Sequence, residues 1–486
     1  MTCFLQPMTK FTNRIDPAFI ATAILIVCLG VFLFVNRAES LSATNAALGL
    51  GIFYLGITPG MWRLYQAKGP RSPFPLLELT GLFYALFFGI SVFLVWIIRD
   101  PDSGQIIFFT RVRLDDISIK AMAIAFAGLF LLLGSWVVTR RQLPLNMRLK
   151  VPNGSNDRLR LLFWGLAIGA LIYAHSPLLK GIPSIGQFLT PAGFLGFGAF
   201  CILRWRGELP RWEVVLYFFI ILPLWLLPFI VSGFSTSLVL VAIYWAALGY
   251  WHSGRLPWRL GLSVAIILFA IYPSQAKIRQ AVWDPAFSGS IAEKLHHIGQ
   301  ALIENYRSWE RYKTVLLHEN GLSGITNRIA HAVPMSIVVD STPDKVPYWR
   351  GETYKPLLTS WIPRAVWKNK PEERAGGKFG LRYGFMTTDS AQGSMNIPWN
   401  IEMYANFGIW GVLIGSVIVG IGLGTIDRIF NSPNTSMTEG LIGSALVLPI
   451  FYQDSNISVM MGTFVPLSIC YWLYFRVGLT IPLRRP

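Results

Sequence analysis

Residues 118–160 read SIKAMAIAFAGLFLLLGSWVVTRRQLPLNMRLKVPNGSNDRLR. The first part, 118–138, is an apolar run with one charge, Lys120, near its start. The second part carries Arg140, Arg141, Arg148, Lys150, Arg158 and Arg160. A run of about 20 apolar residues is what an α-helix needs to cross a bilayer core. A transmembrane barrel strand would alternate apolar and polar positions over roughly ten residues, and this run does not alternate. Backbone groups inside a bilayer must bond within their own segment, so a continuous apolar run means helix. The basic loop that follows gives a direction, because short cytoplasmic loops gather Lys and Arg.

The same unit recurs along the chain. Apolar runs lie at 17–35, 42–60, 75–98, 118–138, 161–178, 188–204, 213–232, 237–251, 260–276, 400–425, 438–452 and 457–478. The chain has 486 residues, 53% hydrophobic and 14% charged, where a soluble domain carries about 25% charged residues. The expected fold is therefore all-α, a polytopic integral membrane protein with about 12 transmembrane helices. The basic short loops at 61–74, 139–160, 204–211 and 252–259, with Arg484 and Arg485 of the tail, fall on one side. Loops 233–237 and 454–458 of the alternate side carry no basic residue, and loop 99–117 sets three arginines against four aspartates. Both termini are expected in the cytoplasm. The first run follows Lys10 and Arg14, exceeds a signal-peptide core and lacks an A-x-A exit, so it reads as a retained helix.

This topology absorbs most of the +17 net charge, which in a soluble chain would point to nucleic acid. Cys3, Cys28, Cys201 and Cys470 form no CxxC pair and read as small packing residues, not a metal site or disulfide frame. H-E-x-x-H, G-x-S-x-G and Walker A patterns do not occur, which excludes the common zinc peptidase, serine hydrolase and ATPase classes. Glu78 and Asp427 lie near the cytoplasmic edge and are expected to reach water. The glycines of GIGLG (420–424) read as a close helix crossing.

The expected division is 1–276 with nine helices, 277–399 as one large extracytoplasmic loop, and 400–486 with three helices. The loop holds 16 basic and 11 acidic residues. Long translocated loops escape the positive-inside rule, so these cations need another reason. Steps of three and four in 291–319 predict a helix, and 324–339 predicts a second, kinked at Pro334. Residues 341–385, rich in Pro and Gly, are expected to be irregular. They end in SWIPRAVWKNKPEERAGGKFGLRYGF (360–385), with six basic residues. Arg grips phosphate bidentately, Lys as a point charge. Trp349, Tyr354, Trp361 and Trp367 could stack on sugar faces or anchor at the membrane interface. A sugar joined to a diphosphate on a lipid would use all of these. A solvated loop touching anionic headgroups is the plainer alternative.

The runs TPDKVPYWRGETY (342–354), IPRAVWKNKP (362–371) and IEMYANFGIWGVLIG (401–415) resemble bacterial polymerases of lipid-linked oligosaccharide repeat units, the Wzy-type O-antigen and exopolysaccharide polymerases. The resemblance is sharpest over 325–415 and elsewhere is one of hydropathy. It implies an enzyme of the bacterial inner membrane that moves a glycan from undecaprenyl diphosphate onto the next lipid-linked repeat with inversion. It implies no cofactor, metal or nucleic acid, and as partners membrane lipids, a chain-length regulator and a flippase. Arg364 and Lys370 would hold the diphosphate, followed by Arg350, Arg374, Lys378 and Arg382, with Arg279 and Arg328 further out. Glu402 would be the catalytic base, with Asp389 and Glu352 as alternatives. Glu402 also reads as an acid favoured by the helix dipole. His318 and His331 read as surface residues. A related O-antigen ligase, or a transporter or flippase, are the competing classes.

Overall fold

This computed structural model of the protein describes residues 43–65, 71–97, 117–271, 290–317, 328–360, 374–386 and 394–480, apart from 145, 146, 153, 183, 184, 233, 234, 256 and 434, with 274, 278, 362, 367, 369 and 370. The described elements are all helical. They are α1 (Ala43–Tyr65), α2 (Leu76–Tyr84, continuing through a π-helical stretch, Ala85–Ile90, into Ser91–Ile97), α3 (Ile119–Gln142), α4 (Asn156–His175) and α5 (Ile185–Arg206). Then come α6 (Arg211–Val215, continuing to Val231), α7 (Ser235–Ser253) and α8 (Trp258–Ile271). The central segment supplies α9 (Ile291–Tyr306), α10 (Trp309–Leu317), α11 (Ala332–Ser341) and α12 (Ala375–Arg382). The chain closes with α13 (Trp399–Phe430), α14 (Met437–Val447), α15 (Ile457–Met461) and α16 (Phe464–Thr480).

Six of these helical stretches are long and apolar enough to cross a membrane: Leu76–Val95, Ile119–Gln142, Ile185–Arg206, Arg211–Val231, Trp399–Phe430 and Ile457–Thr480. On that evidence the protein is a membrane protein, helical in its described elements. The run 237–251 and most of 42–60, 161–178 and 260–276 are also helical, in α7, α1, α4 and α8. The run 17–35 lies outside the described residues. The run 438–452 forms α14 and a 3-10 turn, Leu448–Ile450. Fourteen residues from Met437 to Ile450 reach only about 21 Å at 1.5 Å per residue, short of a bilayer core of roughly 30 Å.

Helices α3 and α13 make the most extensive packing between described elements. The GIGLG run permits it, since a Cβ on Gly420 would lie 2.5 Å from Leu132 O and 2.0 Å from Ser135 Oγ. Local signals set the helix starts. Ser290 with Glu293 and Ser436 with Glu439 form capping boxes at α9 and α14. Ser155 accepts from Arg158 N at the start of α4.

Three local expectations change. The helix foreseen over 291–319 breaks into α9 and α10, because Ser308 Oγ accepts from Arg311 N and starts a new helix. Pro334 does not kink its helix. It sits in the first turn of α11, where its missing N–H costs nothing. Within the supposedly irregular 341–385, α12 forms despite three glycines, because Phe379 is buried and anchors it. The segment 277–399 is also more than a solvated loop. Ala332, Met335 and Val338 are fully buried, and α11 packs against α3 and α13. Its Ser336 Oγ accepts from Ser118 N at the head of α3, and Asp340 accepts from Ser118 Oγ.

Candidate functional site

Helix α13 is broken. Phe407 (φ −140°) and Gly408 (φ 64°, ψ −149°) leave helical geometry between two helical halves. The Gly408 conformation is essentially closed to residues with a Cβ, and a Cβ there would also lie 2.6 Å from Tyr348 Oη. The break frees helix carbonyls, and the YWRGETY run takes them. Trp349 N donates to Ala405 O, and Arg350 N to Asn406 O. The Asn406 side chain completes the clamp, accepting from Gly351 N and donating to Thr353 Oγ1, both at 2.8 Å. Arg350 (φ 50°) and Gly351 (φ 84°) take the left-handed turn this requires. Thus two runs that carried the sequence resemblance, at 348–354 and 404–408, fold onto each other.

Beside the clamp lies a buried polar centre. The loop FYQDSNIS (451–458) follows α14. Its Asp454, fully buried, faces His331 Nε2 at 2.5 Å through Oδ1. Through Oδ2 it accepts from Arg328 Nη2 at 2.6 Å, from Asn396 Nδ2 at 2.5 Å and from the Tyr452 hydroxyl. Arg328 also bonds the Tyr452 hydroxyl. Burial pushes the Asp454 carboxyl up, but His331, Arg328 and Tyr452 outweigh it and hold it below the usual carboxylate range. Burial and the Asp454 charge push the Tyr452 phenol far above its ordinary value, against an opposing effect of Arg328. The His331 ring is buried among Phe83, Phe87 and Phe88, edge-on to each. It is a core residue, not the surface residue expected. The same loop reaches the clamp: Ile457 N donates to Glu402 Oε2 at 2.7 Å, and Ser458 Oγ to Thr353 O at 2.9 Å.

Arg328 and Tyr452 form the polar end of a cavity of about 500 Å³. Apart from Thr236, its other lining side chains are apolar, among them Leu82, Phe83, Phe229, Ile243 and Leu302 of α2, α6, α7 and α9. Such a shape takes a hydrocarbon chain with an anionic head at the Arg328 end.

The site residues expected from sequence divide into groups. Arg364, Trp361, Arg279, Asp389 and His318 lie outside the described residues. Trp349, Arg350, Tyr354, Lys378, Arg382 and Glu402 gather around the α13 break. There Arg382 stacks over the buried Trp349 ring at 4.8 Å, Lys378 pairs with Glu352 at 3.0 Å, and Tyr354 stacks on Phe407. The Lys378 bond and charge hold the Glu352 carboxyl below its usual range. Lys370 braces its own loop, donating to the carbonyls of Ser360 and Ile362. Arg374 precedes α12, and Trp367 is exposed. Glu402 is fully buried with its carboxylate on the first turn of α15, a favourable place for an acid at a helix start. Arg328 stands apart from this group, at the Asp454 centre.

Sequence reading missed Asp454, Tyr452 and Asn396. The available signal was an acid flanked by two apolar runs, which is a functional suspect by default. Glu78 and Asp427 also differ from expectation. Asp427 is buried against Arg140 at 3.0 Å and Trp136, and Glu78 is mostly buried against Arg63 at 2.7 Å. Among the described residues no His, Cys, Asp and Glu cluster is arranged to hold a metal ion.

Residues 124–453 match the family model described as a domain of unknown function, DUF8712. No curated protein and no solved structure matches the chain. The match spans about two thirds of the sequence, and the chain belongs to the DUF8712 family.

Proposed function

We propose that this member of the DUF8712 family is a bacterial inner-membrane glycosyltransferase that polymerises lipid-diphosphate-linked oligosaccharide repeats. The observation that carries the reading is the apolar cavity ending on Arg328 and Tyr452, beside a buried carboxylate. The cavity would take the first isoprene units of the carrier. Arg328 would bind the diphosphate and stabilise the charge that develops as the sugar C1–O bond breaks. The acceptor hydroxyl attacks C1. Its proton passes to the Tyr452 oxygen as Tyr452 gives its own to Asp454, which its partners keep ionised. The lipid diphosphate leaves with the bonding electrons, and the product carries the inverted linkage. The clamp around the α13 break, with Tyr354 and with Arg382 held over the buried Trp349 ring, would cradle the growing glycan. The charge pattern of the short loops supports an extracytoplasmic site with both termini in the cytoplasm, and the net positive charge of 277–399 suits an anionic substrate.

The test is transfer by purified protein in liposomes supplied with a synthetic prenyl-diphosphate-linked repeat, read by mass spectrometry of products. Joined repeats with release of prenyl diphosphate are expected from the wild type. Tyr452→Phe keeps the ring and its packing and should lose transfer by at least ~100-fold, the lower range of general-base effects. Full transfer by Tyr452→Phe would refute the relay. Movement of the intact lipid-linked repeat across the bilayer, without joining, would instead make this a flippase.

A further inference from the structure

A second, larger cavity of about 1220 Å³ shares no lining residue with the first. Five guanidinium groups line this space: Arg63 from the last turn of α1, Arg71 before α2, Arg140 and Arg141 from the last turn of α3, and Arg428. Two carboxylates bond to them, Glu78 to Arg63 and Asp427 to Arg140. Positive charge is therefore in excess. Four of the five arginine heads also have fixed neighbours. Arg63 and Arg71 both lie against the Tyr250 ring, at 5.5 and 5.8 Å. Arg140 Nη2 donates to Ser72 Oγ at 2.8 Å, and Arg428 Nε donates to Pro144 O at 3.2 Å.

The remaining wall is greasy. It includes Leu55, Trp62, Phe130, Leu133 and Val138, and of these Trp62, Phe130 and Val138 are exposed on helices that carry membrane-length apolar character or pack against them. A cation cluster at helix C-terminal ends suits the helix dipole and the positive-inside rule. Neither accounts for a preformed space larger than a typical small-molecule site of about 300–1,000 Å³, with arginines on one wall and membrane-facing apolar side chains on the other.

We propose that this cavity binds the phosphate headgroup of an anionic membrane lipid, with its chains against the Trp62, Phe130 and Val138 wall. Arginine forks match phosphate oxygens, and basic pockets between transmembrane helices are headgroup sites. The site is separate from the Asp454 centre and does not depend on the function assigned there.

Native mass spectrometry of the full chain in detergent tests it, with titration of phosphatidylglycerol, phosphatidylcholine and inorganic phosphate. Wild type should retain phosphatidylglycerol at least ~10-fold more tightly than phosphatidylcholine, as one charge-assisted contact supplies. The Arg71→Gln/Arg141→Gln double variant should erase that preference. These two positions are chosen because they leave the Arg63–Glu78 and Arg140–Asp427 pairs intact. Gly134→Leu serves as the variant that keeps every charge. Gly134 lines the cavity and a Cβ there meets nothing within 4 Å, so the helix tolerates leucine while the chain-binding wall is filled. It should weaken phosphatidylglycerol by a similar factor and leave inorganic phosphate binding unchanged. Equal retention of the two lipids by wild type would overturn the proposal. So would unaltered lipid binding in Gly134→Leu, whatever the double variant does. Inorganic phosphate binding as tightly as the lipid would assign the site to a free anion instead.

Discussion

Asp454→Asn is the substitution that tests the buried centre most sharply. The side chain keeps its shape and loses its charge and one acceptor oxygen. Asp454 meets His331 on Oδ1 and three donors, from Arg328, Asn396 and Tyr452, on Oδ2. An asparagine best keeps its oxygen toward the three donors and turns its amide toward His331. His331 Nε2 must then accept, which puts the ring proton on Nδ1. That atom is buried and has no hydrogen-bond partner among the described residues. A buried unpaired donor costs about 1–3 kcal/mol. The bonds to Arg328 and His331 fall from charged to neutral strength, about 1 kcal/mol each. Arg328 is 38% exposed, so water recovers part of its share. The expected loss is about 3 kcal/mol, at the low end of the roughly 3–5 kcal/mol for breaking a buried ion pair. Equilibrium unfolding in mixed micelles, titrated with a denaturing detergent, measures it. A loss below about 1 kcal/mol would refute the reasoning, because it would mean the centre is hydrated and Nδ1 finds a partner.

The pH dependence follows from the same group. The folded carboxyl of Asp454 lies below its ordinary value, so its stabilising contribution is full above the unfolded value near ~4 and is lost as pH falls through the folded value. Wild type should lose stability faster than Asp454→Asn on acidification, measured by thermal unfolding from about pH 5 down to about pH 2; parallel curves would remove Asp454 from the account. Gly408→Ala should destabilise by at least ~1–3 kcal/mol, from backbone strain alone, because a Cβ meets Tyr348 Oη as well. Its signature is faster proteolysis within 348–354, as the clamp loosens; unchanged cleavage would refute the clamp.

The helical class was legible because bilayer solvation leaves continuous apolar runs few alternatives. Helix ends followed where a side chain does the capping, as at Ser155, Ser290 and Ser436. The site was only half legible. Cations such as Arg382 and Lys378 stood out by type and density, and they do collect around the α13 break. Arg328 was read as an outlying contact, and the structure joins it to Asp454, more than a hundred residues away. Nothing local in DSNIS marks Asp454 as the acceptor of four side chains. That role depends on α11 folding into the core, which its own ten residues do not announce. His331 was misjudged for the same reason, since burial comes from Phe83, Phe87 and Phe88 of α2.

The break at Gly408 also acts as a depth gauge. Beyond it, residues 409–430 continue as helix, about 33 Å at 1.5 Å per residue, close to the hydrocarbon thickness of roughly 30 Å. Trp410, 71% exposed, then sits where indole rings favour the headgroup boundary. The earlier half of α13 folds back beside the later one, Met403 lying against Gly411 and Gly415, so the clamp closes the turn at the end of that span.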